Sequence, residues 1–270
     1  MRGHSLVKTG TNVKRHQVSR QTSAKRTNSL GGQLAHAARE LSDSLSQIDF
    51  SRYADWVYNP LSYAWPAHQQ YLERYAGKEC KVVFMGMNPG PWGMAQTGIP
   101  FGEVNAVVDW LKIDAPIGKP DREHPKRPIE GLACKRSEIS GRRLWALFAE
   151  RFHTPSNFFP RHFVTNYCPL AFMEQSARNV TPDKLPSSVR QQLESICDQH
   201  LACLLGLLQP QWLIGVGAWA EGCACRVVEN GHFDSIRVGR MLHPSPASPA
   251  ANKNWSSTAT RQLQELGVWS

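Results

Sequence analysis

The chain has 270 residues, of which 41% are apolar and 20% are charged, a composition typical of a globular protein with a substantial buried core. No apolar run approaches the roughly 20 residues that a membrane-spanning helix requires. The first thirty residues also lack the apolar segment of a secretory signal. These features exclude a transmembrane helix and predict an intracellular protein.

The net charge of +9 is concentrated at the amino terminus. Residues 1–30 contain seven basic and no acidic side chains, which leaves a charge of only +2 for residues 31–270. Because the basic segment is rich in Ser, Thr and Gly, we expect a disordered tail followed by one domain over 31–270. Two interpretations of the tail remain open: salt-sensitive attraction to nucleic-acid phosphates, or a solvated extension or leader.

The apolar spacing predicts helices that alternate with short buried strands. Helical patterns cover residues 34–48, 65–75, 191–208 and 252–266. Four short apolar runs are typical of buried parallel strands, and they lie at residues 81–87, 162–170, 211–217 and 235–242. This alternation predicts an α/β protein, a three-layer α/β/α sandwich around a central, mainly parallel four-stranded sheet.

The seven cysteines do not have the spacing of a metal site. Cys168, Cys197 and Cys203 fall in apolar stretches, which favours reduced thiols in the core. Cys223 and Cys225 are close together, but no companion pair follows them. We therefore expect neither a metal nor a cofactor.

Two segments rich in Gly and Pro leave the carboxyl ends of predicted strands. Residues 86–102 read GMNPGPWGMAQTGIPFG and contain five glycines and three prolines, which indicates a fixed loop with close backbone approaches. Residues 243–255 read HPSPASPAANKNW, and their prolines stiffen a second loop. In parallel α/β sheets, ligands bind at this edge.

These two segments resemble the active-site motifs of the single-strand-selective monofunctional uracil-DNA glycosylases, within the uracil-DNA glycosylase superfamily. The resemblance also includes residues 58–65, 124–128, 166–170 and 179–182, and so covers about residues 45–266. It implies a monomeric enzyme of base excision repair that flips a base out of DNA and hydrolyses its N-glycosidic bond without cutting the strand. The implied substrates are uracil and 5-oxidised uracils, such as 5-hydroxymethyluracil, in single- and double-stranded DNA.

The resemblance assigns catalysis to Asn88 and His243. Base loss builds negative charge on the uracil O2, and His243 is the implied hydrogen-bond donor to that oxygen. Asn88 is implied to orient the attacking water through its amide oxygen. Neither motif holds the carboxylate pair of ordinary glycosidases, and Lys253 matches a position that the family does not use for a Schiff base.

Base recognition is assigned to five further residues. An amide at Asn166 can donate to uracil O4 and accept from N3–H, whereas cytosine presents the opposite pattern. Phe101 is the implied stacking platform for the base. Met87 and Met94 shape the pocket, and Gly90 leaves space beside the pyrimidine C5.

The second motif supplies the implied wedge that enters the gap left by the flipped base. Its residues, which also contact DNA, are Pro244, Ser245, Pro246, Ala247, Ser248, Pro249, Asn252 and Lys253. Relatives often carry arginine where this chain has Ala247, so we expect weaker action on duplex DNA, or help from Lys253 and the basic tail. Trp92 replaces a phenylalanine that is common in the family.

Three alternatives remain open. A glycosylase of the same fold could act on deaminated purines such as xanthine or hypoxanthine, which share a carbonyl and N–H edge with uracil. A relative could bind DNA without activity, against which the presence of Asn88, Asn166 and His243 argues. A glycosylase with an iron–sulfur cluster would need four suitably placed cysteines.

Overall fold

The computed structural model describes residues 28–270, so nearly all of the predicted basic tail lies outside the described residues. The strands are β1 (Trp56–Tyr58), β2 (Val82–Gly86), β3 (His162–Asn166), β4 (Ala171–Met173), β5 (Asn179–Val180), β6 (Trp212–Val216) and β7 (Arg237–Met241). The helices are α1 (Leu30–Leu45), α2 (Pro60–Tyr63), α3 (Trp65–Tyr75), α4 (Met94–Thr97), α5 (Ile139–Phe152), α6 (Pro155–Phe158), α7 (Ser187–Leu208), α8 (Ala218–Asn230) and α9 (Pro249–Glu265). Single turns of other helix types cover Ala106–Trp110, Gly131–Ala133 and Pro182–Lys184.

The main sheet has four parallel strands in the order β3-β2-β6-β7. Every residue of β2, β3 and β6 is buried, whereas the edge strand β7 alternates between exposed and buried positions. Full burial of the inner strands β2 and β6 explains their continuous apolar sequences, because helices cover both faces of the sheet. The predicted three-layer α/β/α sandwich is confirmed.

The strand predicted over residues 162–170 is too long. β3 ends at Asn166, although the N–H groups of Tyr167 and Cys168 still donate to the carbonyls of Gly86 and Met87, at 2.9 Å each. The next residue, Pro169, has no N–H to continue the ladder, and the chain turns away.

The helical layers form from amphipathic segments. Ser29 caps α1, its hydroxyl accepting from the N–H of Gly32 at 3.1 Å, so this helix begins four residues earlier than predicted. Helix α1 packs against α3 and α7, while α8 covers β6 and β7. Helix α9 contacts β7 and α5 next to the carboxyl edge of the sheet.

A second, three-stranded antiparallel sheet of order β1-β4-β5 was not predicted. Its strands have two or three residues each, too few for an alternating pattern to show in sequence. The sheet carries Tyr58, whose hydroxyl donates to the carbonyl of Arg127 at 2.9 Å and accepts from the N–H of His124 at 2.6 Å. It thereby fixes the turn over residues 124–128.

The cysteines are free thiols in the described chain. Cys168 and Cys197 are buried as predicted, but the expectation for Cys203 was wrong because it lies on the exposed side of α7. Within residues 28–270, no group of three or more His, Cys, Asp or Glu side chains is placed to hold a metal ion. Over the same range, every helix is too short or too polar to cross a bilayer.

Candidate active site

A cavity of about 360 Å³ opens at the carboxyl ends of the parallel strands. Three strands deliver the predicted residues to it: Asn88 follows β2, Asn166 ends β3 and His243 follows β7. All of the residues predicted to act in catalysis or base binding line this one cavity, namely Met87, Asn88, Gly90, Met94, Phe101, Asn166 and His243.

Gly86 at the end of β2 allows two of these side chains to approach closely. A Cβ atom there would collide with the Asn166 amide oxygen and lie 2.6 Å from the ring of Phe101. Glycine is therefore required at this position, and its lack of a side chain brings the amide and the aromatic ring to the same end of the cavity.

Asn88 is held by its amide nitrogen. The Nδ2 group donates to the carbonyl of Leu170 at 3.1 Å and, more distantly, to that of Pro89 at 3.5 Å. The nitrogen is thus engaged on the protein side, and the amide oxygen of this cavity-lining side chain has no hydrogen-bond donor among residues 28–270.

His243 is held as a neutral donor. Its Nδ1 accepts from the N–H of Ser245 at 3.1 Å, which places the ring proton on Nε2. Burial lowers the pKa of His243 from 6.5 to about 4, so the imidazole is uncharged at neutral pH. Its ring centroid lies 6.4 Å from that of Phe101.

Phe101 adopts a strained backbone conformation. Its φ is 54°, in the left-handed region that costs a non-glycine residue about 1–3 kcal/mol. The N–H of Glu103 donates to the Phe101 carbonyl at 2.7 Å and stabilises the turn. The side chain is 6% exposed, so the loop holds a nearly buried aromatic face against the cavity.

Asn166 is 9% exposed and its orientation is also fixed. The Nδ2 group donates to the sulfur of Met94 at 3.3 Å. Met94, at the start of α4, is itself 2% exposed and lines the cavity beside the amide. A buried amide that cannot rotate freely is suited to distinguish donor from acceptor atoms on a ligand.

Glu138 also lines the cavity, and the sequence reasoning missed it. It immediately precedes α5, and its carboxyl group lies against Gly90 and Gly93 of the first motif. Its Oε2 is buried without a hydrogen-bond partner in the described residues. Burial, reinforced by the charge of Glu103, raises the pKa of Glu138 from 4.5 to about 7.

Ser140, Asn179 and Thr181 complete the missed part of the cavity wall. Residues 179–182 belong to the family resemblance, but that resemblance assigns them no role. The signal in the sequence is the position of polar residues close to strand and helix ends, which does not by itself point toward a cavity.

The predicted wedge residues lie mostly outside the cavity. Ser245 lines it, Pro244 is buried, and Ser248 is half-buried. The exposed members are Pro246, Ala247, Pro249, Asn252 and Lys253. Pro249 begins α9, so the last part of the predicted wedge forms the first turn of this helix.

Arg143 of α5 braces the wedge segment, which we define as residues 244–253. Its guanidinium donates to the carbonyl of Pro244 at 2.9 Å and to the amide oxygen of Asn252 at 3.2 Å. The Asn252 amide nitrogen donates to the carbonyl of Pro246 at 2.7 Å. These bonds join the loop and the helix start to α5 and leave Ala247 at an exposed tip.

Comparison with known proteins decides the family. The family model of the uracil DNA glycosylase superfamily matches residues 73–266. The chain belongs to this superfamily. The match includes both motifs and every residue predicted to act in catalysis or base binding, and the family assignment makes the chain a hydrolase of N-glycosidic bonds.

Several curated relatives are similar over most of their length. The single-strand selective monofunctional uracil DNA glycosylase of Mus musculus is 46% identical over 242 residues, covering 90% of this chain and 86% of the relative. The proteins of the same description from Rattus norvegicus and Bos taurus are 48% and 46% identical, each covering 84% of this chain and 82% and 84% of the relative, respectively. The resemblance inferred from the motifs is confirmed.

A solved structure shows the same fold. The SMUG2 protein of Pedobacter heparinus superposes with a TM-score of 0.58, covering 85% of this chain and 99% of that protein. Its sequence identity is only 14%, so this likeness concerns the architecture alone.

Proposed function

We propose that the chain removes uracil from DNA by hydrolysis, as a monofunctional DNA glycosylase of base excision repair. The observation that carries the proposal is the convergence of Asn88, Asn166 and His243, delivered by three different strands, on one cavity with Phe101. The proposed reaction needs three groups: an amide that orients water (Asn88), an amide that recognises the base (Asn166) and a neutral imidazole that donates to the leaving base (His243).

Departure of the base is assisted by His243. As the C1′–N1 bond breaks, negative charge develops on the uracil O2, and a donor already placed beside that oxygen lowers the barrier. The Ser245 N–H keeps the imidazole proton on Nε2, and burial keeps the ring neutral. The neutral ring can donate without first losing or gaining a proton at physiological pH.

Attack by water is assisted by Asn88. With its Nδ2 bound to the carbonyl of Leu170, the amide oxygen accepts a hydrogen bond from water and orients it toward the sugar C1′. An amide does not take a full proton, so this arrangement suits a late attack on a sugar that already has oxocarbenium character.

Base selection is assigned to Asn166 and Phe101. Uracil stacks on Phe101 while the Asn166 amide donates to O4 and accepts from N3–H. Cytosine would leave the fixed amide with mismatched partners, which a buried site penalises strongly. Flipping is required because both side chains are nearly buried and cannot reach a base within the stack.

Further details extend the proposal. No lysine of the described chain lines the cavity, which supports hydrolysis without a Schiff base. On the family resemblance, 5-oxidised uracils in single- and double-stranded DNA are also proposed substrates, although Gly90 adds no open space for a 5-substituent because the Glu138 carboxyl lies against it. A continuous core from Leu34 to Trp269 supports one domain over residues 31–270. An intracellular monomer is proposed on the family resemblance alone.

The test uses oligonucleotides that carry uracil, 5-hydroxymethyluracil, xanthine or no lesion, each as single strand and duplex. After incubation, alkali cleaves abasic sites, and the untreated sample reveals any lyase activity. We expect alkali-dependent cleavage at uracil and loss of most turnover in Asn88→Ala. Cleavage at xanthine alone would favour the purine enzyme, and binding without cleavage of any lesion would favour an inactive relative.

A further inference from the structure

Trp92 of the first motif lies between two arginines. The guanidinium carbons of Arg127 and Arg136 are each 4.9 Å from the centroid of the indole ring, within the range of cation–π contact. The two cations come from different segments, one from the turn over residues 124–128 and one from the approach to α5. The indole therefore gathers two positive charges beside the loop that lines the cavity.

The buried side chain of Gln96 fixes the loop that carries Trp92. Gln96 is fully buried, and its amide nitrogen donates to the carbonyls of Pro91 and Pro128 at 3.1 and 3.0 Å. Its amide oxygen accepts from the N–H groups of Glu130 and Gly131 at 2.8 and 3.2 Å. One side chain thus ties the Trp92 loop to the segment that follows Arg127.

The charges of the two arginines are not neutralised by ion pairs. Among residues 28–270, neither Arg127 nor Arg136 has a carboxylate partner within salt-bridge distance. Arg127 Nε is also buried without an acceptor in that range. The exposed Lys126 and Lys135 are their chain neighbours and add two further charges. Like charges held together without direct ion pairs favour an anionic ligand.

We propose that Arg127, Trp92 and Arg136 form a phosphate clamp that binds the backbone of the substrate strand next to the flipped nucleotide. Trp92 lies between Gly90 and Met94, which both line the cavity, so the clamp is beside the entry of the base. Guanidinium groups bind phosphate oxygens through paired N–H donors, and the indole holds both groups in position before the strand arrives. The clamp rests on the proposed function, because the DNA strand passes Trp92 only if its flipped base enters the cavity.

The salt dependence of DNA binding tests the clamp. Removing one arginine–phosphate interaction should reduce the slope of log K against log salt by about 0.7 on single strands and about 0.9 on duplex. We expect Arg127→Ala and Arg136→Ala each to lower the slope by this amount in the full-length protein. The defect should appear in the dissociation constant, and the single-turnover rate at saturating DNA should change less than twofold.

Arg237→Ala is the matched control. Arg237 makes the same kind of contact, 4.3 Å from the Trp212 ring centroid, but at the amino end of β7, on the opposite edge of the sheet from the cavity. Its removal lowers the net charge equally and should leave the slope unchanged. Trp92→Phe should keep most of the affinity, whereas Trp92→Ala should weaken binding through both arginines.

Strands shortened on one side of the uracil locate the clamp. The effect of Arg127→Ala and Arg136→Ala should vanish when the phosphates on one side are removed and persist when those on the other side are removed. Suppose that wild-type protein cleaves uracil, but Arg127→Ala, Arg136→Ala and Arg237→Ala all keep the wild-type slope of log K against log salt. The clamp is then wrong while the proposed function stands. If wild-type protein cleaves no lesion, the proposed function itself fails.

Discussion

The cavity and the wedge segment are built in opposite ways. The cavity side chains Met94, Phe101 and Asn166 are at most 9% exposed, and the ends of parallel strands and a strained turn hold them. The wedge segment presents an exposed tip at Ala247, attached through a few hydrogen bonds to Arg143. Under the proposed function, the preorganised cavity selects the bond that is hydrolysed, and the exposed tip governs how easily a base reaches the cavity.

The largest effect should come from removing His243, the proposed donor to the leaving base. His243→Leu keeps the volume but loses the Nε2 donor, and we expect the single-turnover rate on uracil DNA to fall by on the order of 10²–10³. Binding of uracil-containing DNA, measured at the same pH, should change little. The matched variant His36→Leu removes an exposed histidine of α1 and should keep the rate. A normal rate in His243→Leu would remove this residue from catalysis.

Exchange of the base reader should give the next largest effect. Asn166→Asp replaces the amide donor with an acceptor, so the preference for uracil over cytosine should shrink by on the order of 10². The ratio of kcat/KM for the two bases in otherwise identical single strands measures it. Unaltered selectivity would contradict the assignment, even if the overall rate falls.

The residues that sequence could and could not predict follow the same division. The position of Asn88, Phe101 and His243 was predictable because each lies in a Gly- or Pro-rich segment after an apolar strand, where parallel sheets place ligands, while their roles came from the family resemblance. Glu138 was not, because only the three-dimensional fold brings the residue before α5 against Gly90 and Gly93. The brace from Arg143 is likewise a long-range contact that no local pattern encodes.

Glu138 offers a test of how completely the cavity is closed to solvent. Its pKa is 4.5 in an ordinary environment and about 7 in the folded protein, so between these values the folded chain keeps a proton that the unfolded chain has lost. The free energy of unfolding should therefore decrease as pH rises from 4.5 to 7. Glu138→Gln removes this titration and should gain on the order of 1–3 kcal/mol relative to wild type across that window.

Denaturant unfolding at pH 5 and pH 7.5 measures this change. The variant minus wild-type difference cancels the contributions of the histidines His68, His162, His200 and His243. Burial lowers the pKa of each to about 4, so they act in the opposite direction below pH 6.5. Glu130→Gln, an exposed carboxyl nearby, should show no such difference. A pH-dependent difference for Glu138→Gln no larger than that for Glu130→Gln would mean that Glu138 is ionised and hydrated at neutral pH.

The smallest effect should arise at the wedge tip, and it should be a gain. Ala247 is exposed, and its backbone N–H already donates to the Ser245 hydroxyl at 3.2 Å, so Ala247→Arg alters the tip without breaking that bond. A longer, cationic side chain fills more of the gap left by a flipped base and reaches a phosphate. We expect kcat/KM on duplex uracil DNA to rise by about threefold to tenfold, because flipping costs a few kcal/mol in duplex and less in single strands.

Comparing single-stranded with duplex substrates distinguishes a wedge, which fills the gap in a duplex, from a general attraction of positive charge to DNA. Ala250→Arg adds the same charge at an exposed position in the first turn of α9 and should raise kcat/KM equally on single-stranded and duplex DNA. Ala247→Arg should raise the duplex value selectively, because only there must a gap be filled. Since the cavity residues are unchanged in both variants, a selective gain would show that access, rather than chemistry, limits this chain on paired DNA. Equal gains in the two variants would assign the tip no role beyond charge.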